Sequence, residues 1–320
     1  MGCFWHVQTA RVRNKMSEDN KPIEESLQNL VTLRNQLKDQ LGKTFELLKD
    51  VEGAISTVNR QEIVDESTVR GKDKFGIKPA GKVSTGTKKL DDLLSGGFPE
   101  PSNILLNGPP YCSKYSVANN FISSSILDGY PVIVVSLDRD VTRIKQDLFG
   151  ISDSVEKYEN SGMLKFVDAY SKVIQSESTD KNATVVEGVA NTSNFLRTVD
   201  SISASTKANS GPYRMVVFSL TGWITQTEEK TFSKAFQHFS QRRRIEGAVT
   251  LYTIEDGIFQ RSLYENVNYF MDGSIEFRSE ISTEYLRVRG LKDTRSRDWI
   301  EVFSDGDKID LGSFDLKRIR

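Results

Sequence analysis

Cysteine is scarce in this chain. Cys3 and Cys112 are the only two and lie far apart, so neither a disulfide framework nor a cysteine metal-ligand spacing is available. Histidine is equally sparse, with His6 and His238 alone, and neither falls in a triad or a metal-binding spacing. The residues therefore name no metal ligand set. No apolar run approaches the roughly 18 residues that span a bilayer, so no membrane span is expected. The opening MGCFWHVQTARVRNKM has no continuous apolar core of a secretory signal, and Gly2 is followed by His6 where a myristoylation pattern wants Ser or Thr. A cytoplasmic location is the expectation. An excess of one charge is missing too: 43 basic residues face 44 acidic ones, which excludes a globally basic nucleic-acid binder and leaves only local basic patches.

What is present suits one large α/β domain of roughly 200 to 250 residues plus an additional element. The chain has 320 residues, 37% hydrophobic and 27% charged, a globular composition. Residues 1–20 read as a disordered N-terminus. Over 21–59, Ile23, Leu27, Leu30, Leu37, Leu41, Leu48, Val51, Ile55 and Val58 recur at alternating steps of four and three, with Arg34 and Thr44 breaking the seam. A 3.5-residue repeat keeps one stripe facing a partner helix, which predicts a coiled coil. Gly42 and Gly53 each weaken that helix by about 1 kcal/mol relative to alanine, so the stripe must compensate. The alternative is a single amphipathic helix lying on its own domain. Residues 60–82 are charged, carry Gly71, Gly76 and Pro79, and show no period, the marks of a linker.

From residue 83 to 320, short β-branched runs alternate with longer mixed stretches, the pattern of a mainly parallel sheet covered by helices. Strands are predicted at Asn103 to Asn107, Val132 to Leu137, Leu164 to Asp168, Met215 to Ser219 and Ala248 to Thr253. Alternation around Ile275 to Phe277 and Tyr285 to Arg289 predicts antiparallel strands added at the C-terminal side. The expected class is α/β, a doubly wound sheet preceded by a coiled-coil helix.

Between Val83 and Asp140 stand Ser84-Thr85-Gly86, Leu90-Asp91, Gly96-Gly97-Phe98-Pro99, the run Ile104-Leu105-Leu106 and Gly108-Pro109-Pro110. Further on come Val167-Asp168-Ala169-Tyr170, Ser219-Leu220-Thr221-Gly222, Met271-Asp272-Gly273 and Tyr285-Leu286-Arg287-Val288-Arg289-Gly290. In this order the motifs resemble the KaiC-like branch of the RecA superfamily of P-loop ATPases, over about Val83 to Leu311. The resemblance implies a RecA-like fold, ATP and magnesium as cofactors, and assembly with copies of itself or a paralogue.

A working P-loop reads G-x-x-x-x-G-K-[ST]. Its glycines let backbone N–H groups wrap the phosphates, lysine neutralises them, and the hydroxyl ligates magnesium. Here the loop reads Gly108-Pro109-Pro110-Tyr111-Cys112-Ser113-Lys114-Tyr115. These eight residues are the candidate nucleotide-binding set, with Gly108 and Lys114 at the required spacing. Tyr111 and Ser113 stand where the family carries glycine, and side chains there restrict φ and crowd the phosphate path. Tyr115 removes the magnesium-binding hydroxyl. Phe218 takes the place of the second acidic motif, and Asp138-Arg139 that of a glutamate pair, which leaves Asp138 as the one candidate catalytic base. The usual magnesium ligand positions are thus lost. Either the loop keeps residual nucleotide contact, or it is a plain strand-to-helix turn with Lys114 solvated.

Arg287 and Arg289 resemble the family's basic finger, which reaches a neighbouring subunit's phosphate; a solvated edge strand is the plainer reading. Arg242-Arg243-Arg244 reads as a solvated helix end. Three functions follow. The first is a regulatory or scaffold protein with weak or no ATP hydrolysis, assembling with itself, a paralogue or a coiled-coil partner. The second is a divergent ATPase of the KaiC or RadA type using Lys114, Asp138 and Arg289. The third is a DNA-associated, recombination-mediator-like subunit, resting on the basic stretch near Arg289.

Overall fold

Strand β3 (Ser102–Gly108) shows why the central runs are continuously apolar. Ile104 and Leu106 point into one core, Leu105 into another on the opposite face. The same split recurs in β4 (Val132–Ser136) and β7 (Arg214–Phe218), where Val134 and Val216 face one side and Ile133 and Met215 the other. A strand with helices on both faces has no polar side to alternate with. The computed structural model describes residues 29, 30, 32–34, 36, 40 and 43, then 81–148, 151, 154–176, 178, 180–305 and 308–314.

The chain divides into two compact units, Met1–Lys78 and Pro79–Arg320. In the first, the described residues are helical and exposed, and Leu30 and Arg34 are the seam positions among them. The remainder of the expected coiled coil lies outside the described residues, as do residues 1–20 and the linker as far as Ala80.

The second unit holds a two-stranded sheet, β1 (Lys82–Val83) with β2 (Phe98–Pro99), and a ten-stranded sheet. The large sheet adds β5 (Leu164–Asp168), β6 (Thr184–Val185), β8 (Val249–Glu255), β9 (Gly273–Ser279), β10 (Glu284–Arg289), β11 (Ile300–Asp305) and β12 (Lys308–Leu311). Its order is β12-β11-β10-β9-β3-β8-β7-β4-β5-β6. Pairing is parallel from β9 to β6 and antiparallel from β9 through β12. The architecture is the expected doubly wound sheet with antiparallel strands on one side, extended by β11 and β12.

Helices α1 (Lys88–Leu93), α2 (Lys114–Leu127), α3 (Val141–Gln146) and α4 (Val155–Asn160) cover one face. On the other lie α5 (Thr192–Ser210), α6 (Leu220–Thr225), α7 (Glu229–Glu246) and α8 (Arg261–Tyr269). That second core centres on Trp223, whose ring meets Phe195, Phe232, Phe236 and Phe239 edge-on. Among the described residues no helix is long and apolar enough to cross a membrane.

Within the triple Arg242-Arg243-Arg244, Arg242 is exposed as the sequence suggests, but Arg243 is not. Arg243 is fully buried between Asp200 (2.5 Å) and Glu246 (3.2 Å), while Arg244 reaches Asp272 at 2.7 Å. A helix-end charge run becomes structural when acidic partners from other elements surround it.

The opening motifs brace the sheet. Asp91 of α1 accepts from the Ser84 hydroxyl and the Thr85 N–H, each at 2.7 Å. Gly86 and Gly97 adopt φ of +80° and +109°, and a Cβ at either would strike the backbone carbonyl of Asn120 or Val83. At the end of β5, buried Asp168 accepts from the Tyr170 N–H (3.0 Å), the Ser171 N–H (2.9 Å) and the Ser171 hydroxyl (2.6 Å). Burial pushes this carboxyl up, but the Ser171 and Tyr170 donors outweigh it and hold the pKa below the ordinary aspartate value. Asp168→Asn should therefore lower stability at neutral pH by roughly 1–3 kcal/mol in urea unfolding. A depressed folded pKa gives stability that is complete above the unfolded pKa of about 4 and is lost as pH falls through the folded value. The gap between wild type and variant should thus narrow below about pH 4; a gap unchanged down to about pH 3 would contradict the assignment.

Candidate nucleotide site

The loop Gly108–Tyr115 joins β3 to α2 at the carboxyl ends of the parallel strands, where open α/β sheets bind ligands. Around it the fold gathers Asp138 and Arg139 after β4, Phe218 ending β7, Glu255 ending β8 and Glu284 opening β10.

The loop interior is filled by its own side chains. A Cβ at Gly108 would lie 2.7 Å from both Cys112 Sγ and Phe277 Cβ. Cys112 is buried, and burial is the main cause that raises its thiol pKa to about 11. Pro109 and Pro110 carry no N–H, which removes two donors from the cradle. Tyr111 sits at φ +64°, a left-handed position that suits glycine, with its ring fully exposed.

Lys114 is not solvated: its side chain is 0% exposed. The ammonium donates to the Gly108 carbonyl (3.2 Å) and the Pro109 carbonyl (2.7 Å), and pairs with Glu255 at 2.8 Å. The other Glu255 oxygen accepts from the Tyr115 hydroxyl at 2.5 Å. At the amino end of α2, Glu284 accepts from the Ser113 N–H (2.7 Å) and the Ser113 hydroxyl (2.6 Å). The lysine, the helix end and the hydroxyls of the loop are each engaged by a carboxylate of the same chain.

Tyr115 is also the lower half of a stack. The Arg139 guanidinium lies 3.8 Å from its ring centroid and 5.3 Å from that of Phe218, and the two rings are 6.1 Å apart. Burial drives the Tyr115 hydroxyl well above the ordinary phenol range, with Arg139 opposing it, so this group stays a neutral donor. Asp138, the candidate base, accepts from Arg139 Nε at 3.1 Å. The three positions where the family resemblance expects a metal hydroxyl, an acidic residue and a catalytic carboxylate thus form one cation–π assembly.

Set against magnesium-bound ATP, these residues do not fit. Lys114 is paired with Glu255, the Ser113 N–H is taken, and the Tyr115 hydroxyl, at the position of the magnesium-binding hydroxyl, is already donated to Glu255. No phosphoryl-transfer step follows from this geometry.

Arg287 and Arg289 are brought together, but on a carboxylate. Both pair with Glu276 of the neighbouring strand, at 2.6 Å and 3.0 Å, and Arg287 also stacks 4.5 Å from Trp299. Beside them a cavity of about 550 Å³ is lined by Asn107, Asp256, Arg261, Asp272, Glu276 and Arg289.

Sequence reasoning missed Glu255, Glu284 and Glu276. None belongs to a motif; each meets its partner only because the sheet aligns β8, β9 and β10 beside the loop. The pair Lys114–Glu255 makes a direct test. Glu255→Gln should destabilise the chain by roughly 3–5 kcal/mol because it leaves a buried ammonium without its carboxylate, and Lys114→Met should be costly too, whereas the Lys114→Met, Glu255→Gln double variant should lose much less than the two singles together. Urea unfolding of the two single variants and the double checks this; losses that simply add would mean the pair is not coupled.

The model of the KaiC ATPase family matches residues 83–299. A UPF0273 protein of Methanopyrus kandleri is 33% identical over 89 residues, 28% of this chain and 35% of that protein. The circadian clock oscillator protein KaiC of Parathermosynechococcus lividus is 27% identical over 219 residues, 62% of this chain and 38% of that protein. The chain spans about a third to a half of the length of the curated relatives it matches. In fold it is similar to the crystal structure of a KaiC-like protein from Pyrococcus horikoshii, with a TM-score of 0.58 and 21% identity, over 73% of this chain and 100% of that one. The family match runs from the braced opening motifs, through the loop and β10, to residue 299, and so the chain belongs to the KaiC family of RecA-type P-loop ATPases.

Proposed function

We propose that this protein is a KaiC-like regulatory or scaffold protein with little or no ATP hydrolysis. The observation that carries this reading is the stack of Arg139 on Tyr115 and Phe218, standing where the family resemblance places magnesium ligands and a water-activating acid. Phosphoryl transfer rests almost wholly on positioning and on charge stabilisation by the metal and its neighbours. Aromatic carbon supplies neither.

A divergent ATPase would need Lys114, Asp138 and Arg289 free to meet a substrate. Each has an internal partner: Glu255, Arg139 and Glu276 respectively. The same pairing of Arg287 and Arg289 with Glu276 weakens the case for a nucleic-acid contact there, since a phosphate backbone would have to displace a carboxylate. What remains of the family scaffold is its body, which supports a role in assembly with further copies, with a KaiC-like paralogue, or with a partner of the heptad segment.

Release of phosphate from ATP by the full chain, measured with magnesium and again with EDTA, should stay at the uncatalysed background in both. Magnesium-dependent turnover that disappears in Lys114→Ala would overturn the proposal.

A further inference from the structure

We propose that this chain associates head to tail with a second copy of itself through Tyr111, whose ring enters the cavity beside Arg289 of the next copy with no nucleotide between them. This rests on the scaffold reading above and names the contact through which copies meet.

Tyr111 stands on a stiff tip. Pro109 and Pro110 fix φ before it, and the buried Cys112 anchors the chain directly after it. At φ +64° its backbone holds a left-handed conformation that a bulky residue adopts only at a cost, and such outliers gather at functional positions. The ring is fully exposed, as is Ile281 in the turn between β9 and β10. The two tips lie on neighbouring loops, because Glu284 at the start of β10 holds both the N–H and the hydroxyl of Ser113. A large ring already fixed in place loses little freedom on docking, which suits it to anchor an interface.

The cavity offers what a phenol needs. Phe259, Tyr264 and Met271 give the space of about 550 Å³ an apolar wall, and Arg289 borders it with its side chain 63% exposed. Glu276 pairs with Arg287 and Arg289 together, so the trio keeps one positive charge to lie over the face of an aromatic ring. Two acceptors in the lining have no partner among the described residues, the buried Asn107 Oδ1 and the Asp256 carboxylate. A tyrosine brings an apolar body, a π face and an O–H donor at once. The cavities bordered by Lys145, Glu159 and Asp180, or by Glu187, Asn194 and Arg197, have no aromatic side chain in their walls.

The ring does not fill the cavity of its own chain, since it is fully exposed. The loop leads into α2 on one face of the sheet, whereas α8 walls the cavity on the other. A contact between two different patches is heterologous, and its repetition gives a closed ring or a filament.

The test mixes two forms of the full chain, an unlabelled Tyr111→p-benzoylphenylalanine variant, which crosslinks on irradiation, and ¹⁵N-labelled wild type. Mass spectrometry should find position 111 of the unlabelled chain joined to the labelled segment 256–271 of another copy. Below saturation, Arg289→Ala in the labelled chain should cut that yield by about threefold, the loss of one exposed cation–π contact. A link to the heptad segment or to any other part of the second copy, links within one chain only, no link, or a yield indifferent to Arg289→Ala would each overturn the proposal. Phosphate release is not read in this experiment. A chain that turns over ATP yet forms the link sinks only the earlier reading, and a silent chain without the link sinks only this one.

Discussion

A fully buried ammonium at the foot of α2 governs the arrangement of everything around it. Taking an isolated cation out of water costs several kcal/mol even after relaxation, so Lys114 cannot sit where it does without a partner held in place. Glu255 is that partner, and its position is prepared by the fold. It ends β8, which pairs with β3 residue for residue up to Gly108, and its N–H donates to the Thr221 hydroxyl at 3.0 Å. The loop, two parallel strands and the start of α6 are thereby tied to one ion pair.

The residues of the site are physically linked and form one coherent structure. Glu255 has a second oxygen to satisfy, and the Tyr115 hydroxyl reaches it, which a serine or threonine at that position could not do across the same distance. Once a phenol ring occupies that volume, its face needs a neighbour. Arg139 covers it, and Phe218 packs beside the guanidinium. A glutamate at 139 or an aspartate at 218 would set an unpaired carboxylate against aromatic carbon and beside Glu255, with like-charge repulsion added to desolvation. The site as it stands holds a cation on an aromatic pair.

How much of this could be read from the sequence depended on whether the signal was local. The central strands were legible because strands buried on both faces give continuous apolar runs; the predicted segments around Ile104, Val134, Phe166, Val216 and Leu251 all lie in strands of the sheet. The location of the loop was legible from the spacing of Gly108 and Lys114 after such a run. Strands β11 and β12 were not, because their residues mix charge and apolar character with no clean alternation at the outer side of a sheet. The carboxylates that decide the chemistry were also hidden. Glu255 and Glu284 lie 141 and 171 positions from the loop residues they hold, and only register across the sheet brings them there. For the same reason Arg243, and Lys114 in one of its two readings, were expected in solvent when each is sealed inside.

The motifs that survive and those that do not differ in what a substitution would meet. Gly86 and Gly97 hold left-handed backbone with a carbonyl directly where a side chain would begin, and Gly222 would place a Cβ 2.6 Å from the Leu137 carbonyl. No rotamer relieves a clash with backbone, so these positions are fixed by the fold whatever the site does. Tyr111 is different. Its backbone keeps the left-handed turn, but the side chain points wholly into solvent, so the cost is confined to local strain of about 1–2 kcal/mol. Ser113 and Tyr115 likewise found donors and contacts of their own. A RecA-type body can therefore remain recognisable from Val83 onward while the loop it was built to present changes its chemistry, because the geometry that makes the fold and the groups that would hold a nucleotide are enforced by separate contacts.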